Sequence, residues 1–273
     1  MGRATERVTR IDSPFMAAIL LDIDGVLAVS GAPIPGAVSA VSRLRRDGHR
    51  LRFVTNTTTR SRDQLARELR DHGFELEDDE LQTTARTAAA RLQGRRVLAL
   101  TMPGVIEDLE GMKLVGMNAD AVLVGGCDEG DEASRVFSYL NLLRAFHELK
   151  GGADLYCLHK NRWWQTAQGP RLDSGAFVAG LEYAAEVDAT VLAKPAPQYF
   201  TAAIDALDAD AEMTWMVGDD LEGDCVGANK HGMRTVLVRT GKFRPDEVER
   251  SQVQPDGIIS SIAQLPDWLE RAL

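Results

Sequence analysis

The sequence predicts an α/β protein, a mostly parallel sheet flanked by helices with a second α/β unit inserted into it. Three observations lead there. Short apolar runs rich in Val, Ile and Leu alternate with segments of helical period along most of the 273 residues. Parallel strands need a crossover between them, and amphipathic stretches lie where crossovers belong. The interval between Asn56 and Lys194 is long enough to hold an inserted domain.

In chain order, residues 1–14 carry three arginines and few apolar groups and read as a frayed arm. Strands are expected at 17–22 and 50–55. A helix over 61–72 follows from the capping-box spacing of Ser61 and Gln64, the shared face of Leu65 and Leu69, and Gly73 beyond its end. Strands at 96–101, 120–125 and 153–158 come next. Between the last two, one long helix is expected over 132–149, where Val136, Leu140 and Leu143 recur at helical spacing before Gly151-Gly152. Strands at 189–193, 213–218 and 234–238 complete the alternation. The division that follows is core 1–82, insertion 83–187 and core 188–273, without an internal repeat or low-complexity tract.

Composition narrows the functional classes. A hydrophobic fraction of 44% and a charged fraction of 26% are those of a soluble globular protein. A formal net charge of -10 argues against nucleic acid or an anionic membrane as the main partner. No apolar stretch nears the roughly 20 residues that span a bilayer. No signal-peptide core is present, and Glu6 breaks the myristoylation pattern that Gly2 invites. Cys127, Cys157 and Cys225 are widely spaced and odd in number, which fits a reducing, cytoplasmic compartment.

Four unusual polar segments each follow an expected strand: Asp22-Ile23-Asp24-Gly25, Thr55-Asn56, Lys194-Pro195 and Gly218-Asp219-Asp220. The carboxyl ends of parallel strands share one edge, where open α/β sheets bind ligands. Singly, each segment is an ordinary turn; together their chemistry is complementary. Residues i and i+2 of a strand point the same way, so Asp22 and Asp24 can address one volume. Like charges so close favour a divalent cation or a shared proton. An EF-hand loop also begins Asp-x-Asp, but its twelfth position would be Pro33 instead of Glu. An ionised Asp is a competent nucleophile toward phosphorus, and a second carboxyl can protonate the leaving oxygen and then activate water. Thr55 and Asn56 offer neutral donors suited to phosphoryl oxygens. Lys194 lies between an apolar run and a proline, where its charge could orient Asp22 and offset phosphoryl charge. Asp219 is the best candidate magnesium ligand. Asp224, about one helical turn on, could hold Lys194 or a metal-bound water, and Asp220 reads as a helix cap.

In order and spacing these segments resemble the four signature motifs of the haloacid dehalogenase (HAD) superfamily of aspartate-nucleophile phosphatases, in its large-capped, NagD-like subclass. The likeness covers roughly residues 16–250 and implies a Rossmann-like core with an α/β cap. It also implies a phosphatase in which Asp22 is the nucleophile and Asp24 the general acid/base, acting on a small phosphorylated substrate. Mg2+ would be held by Asp22, the backbone carbonyl of Asp24 and Asp219, and the phosphoryl group by Thr55, Asn56 and Lys194. Many NagD-like caps carry Thr-Asn-Pro-Asp or similar, where this chain has His159-Lys160-Asn161-Arg162-Trp163-Trp164. Substrate choice therefore does not carry over. That basic-aromatic segment suits a phosphorylated or planar ligand, with His159 and Lys160 the expected substrate-facing members; cap packing or a dimer contact is the other reading. His49, His72, His147 and His231 are expected to be structural or on the surface. Large-capped relatives often dimerise through the cap, and a homodimer is a further expectation. Phosphotransfer to an acceptor other than water, or a phospho-accepting signalling module, are the rival functions.

Overall fold

The central strand is Ala18–Asp22, apolar until its last residue and buried throughout. A strand flanked on both sides and covered on both faces reads as a continuous apolar run, which is what this segment is. The computed structural model describes residues 16–29, 31–128, 130–166 and 169–273; the expected arm at 1–14 lies outside them.

Ala18–Asp22 pairs in parallel with Thr214–Gly218 on one side and Arg50–Val54 on the other. Arg234–Val238 and Gly257–Ile259 extend the sheet past Thr214–Gly218, and Leu81–Gln82 extends it past Arg50–Val54, giving six strands. Alternation along each strand divides the core into two faces. Ile19, Leu21, Leu51, Phe53, Val217 and Val236 pack with the helices Ala37–Arg46, Arg62–Asp71 and Leu265–Ala272. Leu20, Val54 and Met216 face Tyr199, Phe200 and Ala203 of the helix Pro197–Ala206. Ser61 caps Arg62–Asp71 with the reciprocal Gln64 bond, as its spacing predicts.

A second parallel sheet has five strands in the order Thr190–Val191, Asp154–Cys157, Ala121–Val124, Arg96–Leu100, Lys113–Leu114. Its faces are likewise sorted by alternation. Leu98, Val122 and Leu155 pack with the helices Tyr139–Lys150 and Gly175–Ala185, while Val97, Leu123 and Tyr156 pack toward Thr84–Arg91.

The structure departs from the sequence reading in three places. The strand before Lys194 was expected in the core sheet, yet Thr190–Val191 pairs with Tyr156 and Cys157 of the second sheet. The last bond to that sheet, from Leu192 N–H to Cys157 O at 2.9 Å, precedes Lys194 by two residues. The second sheet thus reaches past the boundary at 187, and Lys194 comes to the core edge on a returning link. The long helix over 132–149 is two helices, Glu132–Val136 and Tyr139–Lys150. Between them Phe137 turns inward and stacks on Phe177 at 4.4 Å between centroids. Leu140 is consequently 65% exposed, and Ala145 and Leu149 form the buried face. The segment after His159 is also paired where no strand was expected: Trp163–Thr166 pairs antiparallel with Gly169–Leu172. Among the described residues no helix is long and apolar enough to cross a membrane.

Candidate active site

Asp22 ends the central strand, so parallel neighbours on both sides hold its backbone at the carboxyl edge of the sheet. The chain then turns sharply, with Gly25 at φ +87°, a conformation that side chains with a Cβ resist. The turn sends the two aspartates to different surroundings. Asp22 is buried and Asp24 exposed. Asp24 Oδ2 accepts hydrogen bonds from Thr55 Oγ1 at 3.3 Å and Thr57 Oγ1 at 3.2 Å.

The Lys194 ammonium sits 2.7 Å from Asp22 Oδ1 and 2.7 Å from Asp224 Oδ1, with all three side chains buried. Asn56 fixes the lysine backbone: its Nδ2 donates to Lys194 O, and its Oδ1 accepts from Lys194 N–H, both at 3.0 Å. Asn56 was expected as a phosphoryl donor; its amide instead clasps the lysine main chain, where a strand partner is lacking. The hydroxyl of Tyr199 is buried beneath Thr55, accepting Thr55 N–H at 2.8 Å and facing the carbonyls of Gln82 and Thr55 at 2.8 and 2.9 Å.

Asp219 and Asp224 follow the strand Thr214–Gly218. Asp220 caps the next helical turn by accepting Gly223 N–H at 2.8 Å, as expected of it. Asp224 Oδ2 accepts Asp220 N–H at 3.2 Å while Oδ1 holds Lys194, so both of its oxygens have partners. Asp219 differs. Its Oδ2 accepts Lys242 N–H at 2.7 Å, but its buried Oδ1 has no partner among the described residues. Glycine makes this close approach possible, because a Cβ on Gly25 or Gly241 would lie 1.9 Å from Asp219 Oδ2.

One oxygen from each of Asp22, Asp219 and Asp224 falls within 4.8 Å of the others. Three carboxylates against one ammonium leave two negative charges in a buried volume. Burial therefore drives the Asp22 carboxyl well above the ordinary carboxylate range; Lys194 opposes the shift, and Asp224 and Asp219 add to it. Burial also pushes Asp219 up to about 6, against the Lys242 N–H bond and helped by Asp224. Burial alone would lower the Lys194 ammonium, but Asp22 and Asp224 outweigh it and hold the group charged. A divalent cation fits the donor set, since hard carboxylate oxygens surround the orphaned Asp219 Oδ1 and the excess charge equals its own. Asp22 and Asp219 have oxygens to offer, whereas Asp224 is committed to Lys194.

The expected cap residues separate. His159 is buried, and a Cβ on Gly126 would lie 2.0 Å from Thr58 Oγ1 and 2.8 Å from His159 Nε2, so His159 meets the core loop after Thr55. Lys160 instead pairs with Glu182 at 2.7 Å on an exposed surface. The sequence reading gave no role to Thr57, Tyr199, Gly25 or Gly241. Thr57 was legible as part of the polar run 55–58, whereas Tyr199 looks like any apolar position on an amphipathic helix.

Family models described as haloacid dehalogenase-like hydrolase and HAD-hydrolase-like match residues 19–115 and 191–265. The chain is 37% identical over 262 residues to the phospholysine phosphohistidine inorganic pyrophosphate phosphatase of Xenopus laevis, covering 92% of this chain and 94% of that protein. Its fold superposes on the p-nitrophenyl phosphatase from Archaeoglobus fulgidus with a TM-score of 0.83 at 28% identity, covering 94% and 99% of the two chains. The glycerol phosphate phosphatase from Mycobacterium tuberculosis in complex with magnesium superposes with a TM-score of 0.80 at 28% identity, covering 91% and 76%.

Proposed function

Since the chain belongs to the haloacid dehalogenase-like hydrolases and is a phosphatase, we propose that it hydrolyses a small phosphorylated metabolite, with magnesium, through an aspartyl-phosphate on Asp22. The observation that carries this reading is the Lys194 ammonium bridging Asp22 and Asp224 beside the unpartnered oxygen of Asp219. In the first half-reaction an Asp22 oxygen bonds to phosphorus and the bond to the leaving group breaks. The electron pair stays on the leaving oxygen, which takes a proton from the Asp24 carboxyl. In the second, Asp24 takes a proton from water as the water oxygen bonds to phosphorus. The bond from phosphorus to Asp22 breaks and restores the carboxylate. Lys194 orients Asp22 through its 2.7 Å bond and offsets phosphoryl charge. The Thr55 hydroxyl donates to a phosphoryl oxygen, and Asn56 keeps Lys194 in place.

Asp22, Asp219 and the backbone carbonyl of Asp24 would hold magnesium, which when bound supplies charge neutralisation at the nucleophile and the phosphoryl oxygens. His159, at the seam between cap and core, is the cap residue best placed to meet substrate. The match to phosphatases over 92% of the chain supports hydrolysis over a signalling role. Self-association through the cap belongs to the same proposal, supported by the exposed side chains of Tyr139, Leu140 and Tyr183, and light scattering of the 29.8 kDa chain tests it.

The test is phosphate release from a panel holding phospholysine, phosphohistidine, pyrophosphate, glycerol phosphate and 4-nitrophenyl phosphate, with magnesium and with chelator. Magnesium-dependent release from at least one compound is expected. Asp22→Asn should lower it by about 10³-fold or more, the scale of losing a nucleophile, while leaving the circular-dichroism spectrum unchanged. Near-normal turnover by Asp22→Asn would overturn the nucleophile assignment.

A further inference from the structure

Two hydroxyls reach the same oxygen of Asp24. Thr55 Oγ1 lies 3.3 Å and Thr57 Oγ1 3.2 Å from Asp24 Oδ2, and the two hydroxyls are 3.1 Å from each other. Thr55 Oγ1 also accepts Thr57 N–H at 3.0 Å. A hydroxyl has one hydrogen to donate, and in the proposed reaction that of Thr55 turns to a phosphoryl oxygen. Thr57 is then the donor left on Asp24. Its main chain is pinned on both sides, through its N–H to Thr55 Oγ1 and through its carbonyl, which accepts from Thr84 Oγ1 at 3.5 Å. Thr57 is also half-exposed, so its hydroxyl does not serve burial.

We propose that Thr57 is the positioning residue of the general acid: its hydroxyl holds Asp24 Oδ2 and thereby places the protonated Oδ1 toward the leaving oxygen. The proposal rests on the reading of Asp24 as the acid. A donor on Oδ2 favours that oxygen as the carbonyl of the protonated acid, which puts the acidic proton on Oδ1. Without this bond the carboxyl, exposed at a turn, rotates among orientations of which few reach the leaving group, and proton delivery loses its orientational advantage. The loss falls on leaving groups that need a proton and spares those that depart as stable anions.

The experiment compares kcat/KM, which stops at the first phosphoryl transfer, for phenyl phosphate and 4-nitrophenyl phosphate. Phenol has a pKa of about 10, like the tyrosine side chain, and depends on the acid; 4-nitrophenolate is a much weaker base. A positioned acid is worth about 10²–10⁴-fold, so Thr57→Val should lower kcat/KM on phenyl phosphate by about 10-fold or more. On 4-nitrophenyl phosphate the change should stay within about 3-fold. Thr57→Ser should restore the phenyl phosphate rate, and Thr57→Val added to Asp24→Asn should cost nothing further. Equal losses on both substrates, no loss on either, or no rescue by serine would overturn the positioning role. Those outcomes leave the nucleophile untouched, since the Asp22→Asn variant and trapping of the intermediate on Asp22 test it separately.

Discussion

Lys194 is the residue on which the site's electrostatics turn. A buried ammonium beside two carboxylates offsets charge that would otherwise stay uncompensated, and breaking such a group costs more than never having built it. Lys194→Met should lower unfolding free energy by about 3–5 kcal/mol in denaturant titrations near neutral pH, together with a large loss of turnover. A cost below about 1 kcal/mol would mean that the carboxylates do not need the lysine. The chemistry of this residue was legible only in company: alone it reads equally well as a surface lysine at a strand end, and the carboxylates expected at the same sheet edge give its charge a role. Its route was not. The strand before it pairs with the second sheet, and strand periodicity alone does not say which sheet a strand joins. The carboxylate cluster was readable in composition but not in detail: the i, i+2 spacing does not say that Asp22 is buried and Asp24, one residue before the turn at Gly25, is exposed.

At the scale of elements, the apolar strands were legible because strands buried on both faces are written as unbroken runs of Val, Ile and Leu. Two-residue strands such as Leu81–Gln82 and Lys113–Leu114 carry no such run, and pairing with a longer neighbour defines them. The break at Phe137 was hidden for another reason: a ring drawn into the cap core overrides the helical period of its neighbours. Loops shape the site as well as strands. Gly25 and Gly241 both abut Asp219 from the left-handed region. Gly25→Ala therefore has neither room nor a relaxed backbone, and it should displace the Asp219 carboxylate. Isothermal titration should show magnesium affinity lowered by about 10-fold or more, equivalent to about 1.4 kcal/mol. Unchanged affinity would indicate that Asp219 is not a ligand.

Across the whole molecule, two parallel sheets bury three free thiols, Cys127, Cys157 and Cys225. Burial penalises the thiolate and pushes Cys127 and Cys157 up to about 12, and Cys225 upward as well. In the unfolded chain a thiol loses its proton near pH 8.5. A folded-state pKa above the unfolded one gives stability that is complete below the unfolded value and lost as pH rises toward the folded one. The protein should therefore lose stability from about pH 9 upward. At pH 8 the folded chain should react with a thiol-specific disulfide reagent about 10³-fold more slowly than the denatured chain. Fast labelling of the native protein would show that the sheets open.

The convergence of distant segments on Asp22 is tested most directly by trapping the covalent intermediate. Protein quenched with acid during steady-state turnover and reduced with borohydride should carry homoserine at position 22, found by peptide mass spectrometry and absent when substrate is omitted. Reduction at another carboxylate, or robust turnover with residue 22 unmodified, would contradict the assignment of Asp22 as the nucleophile.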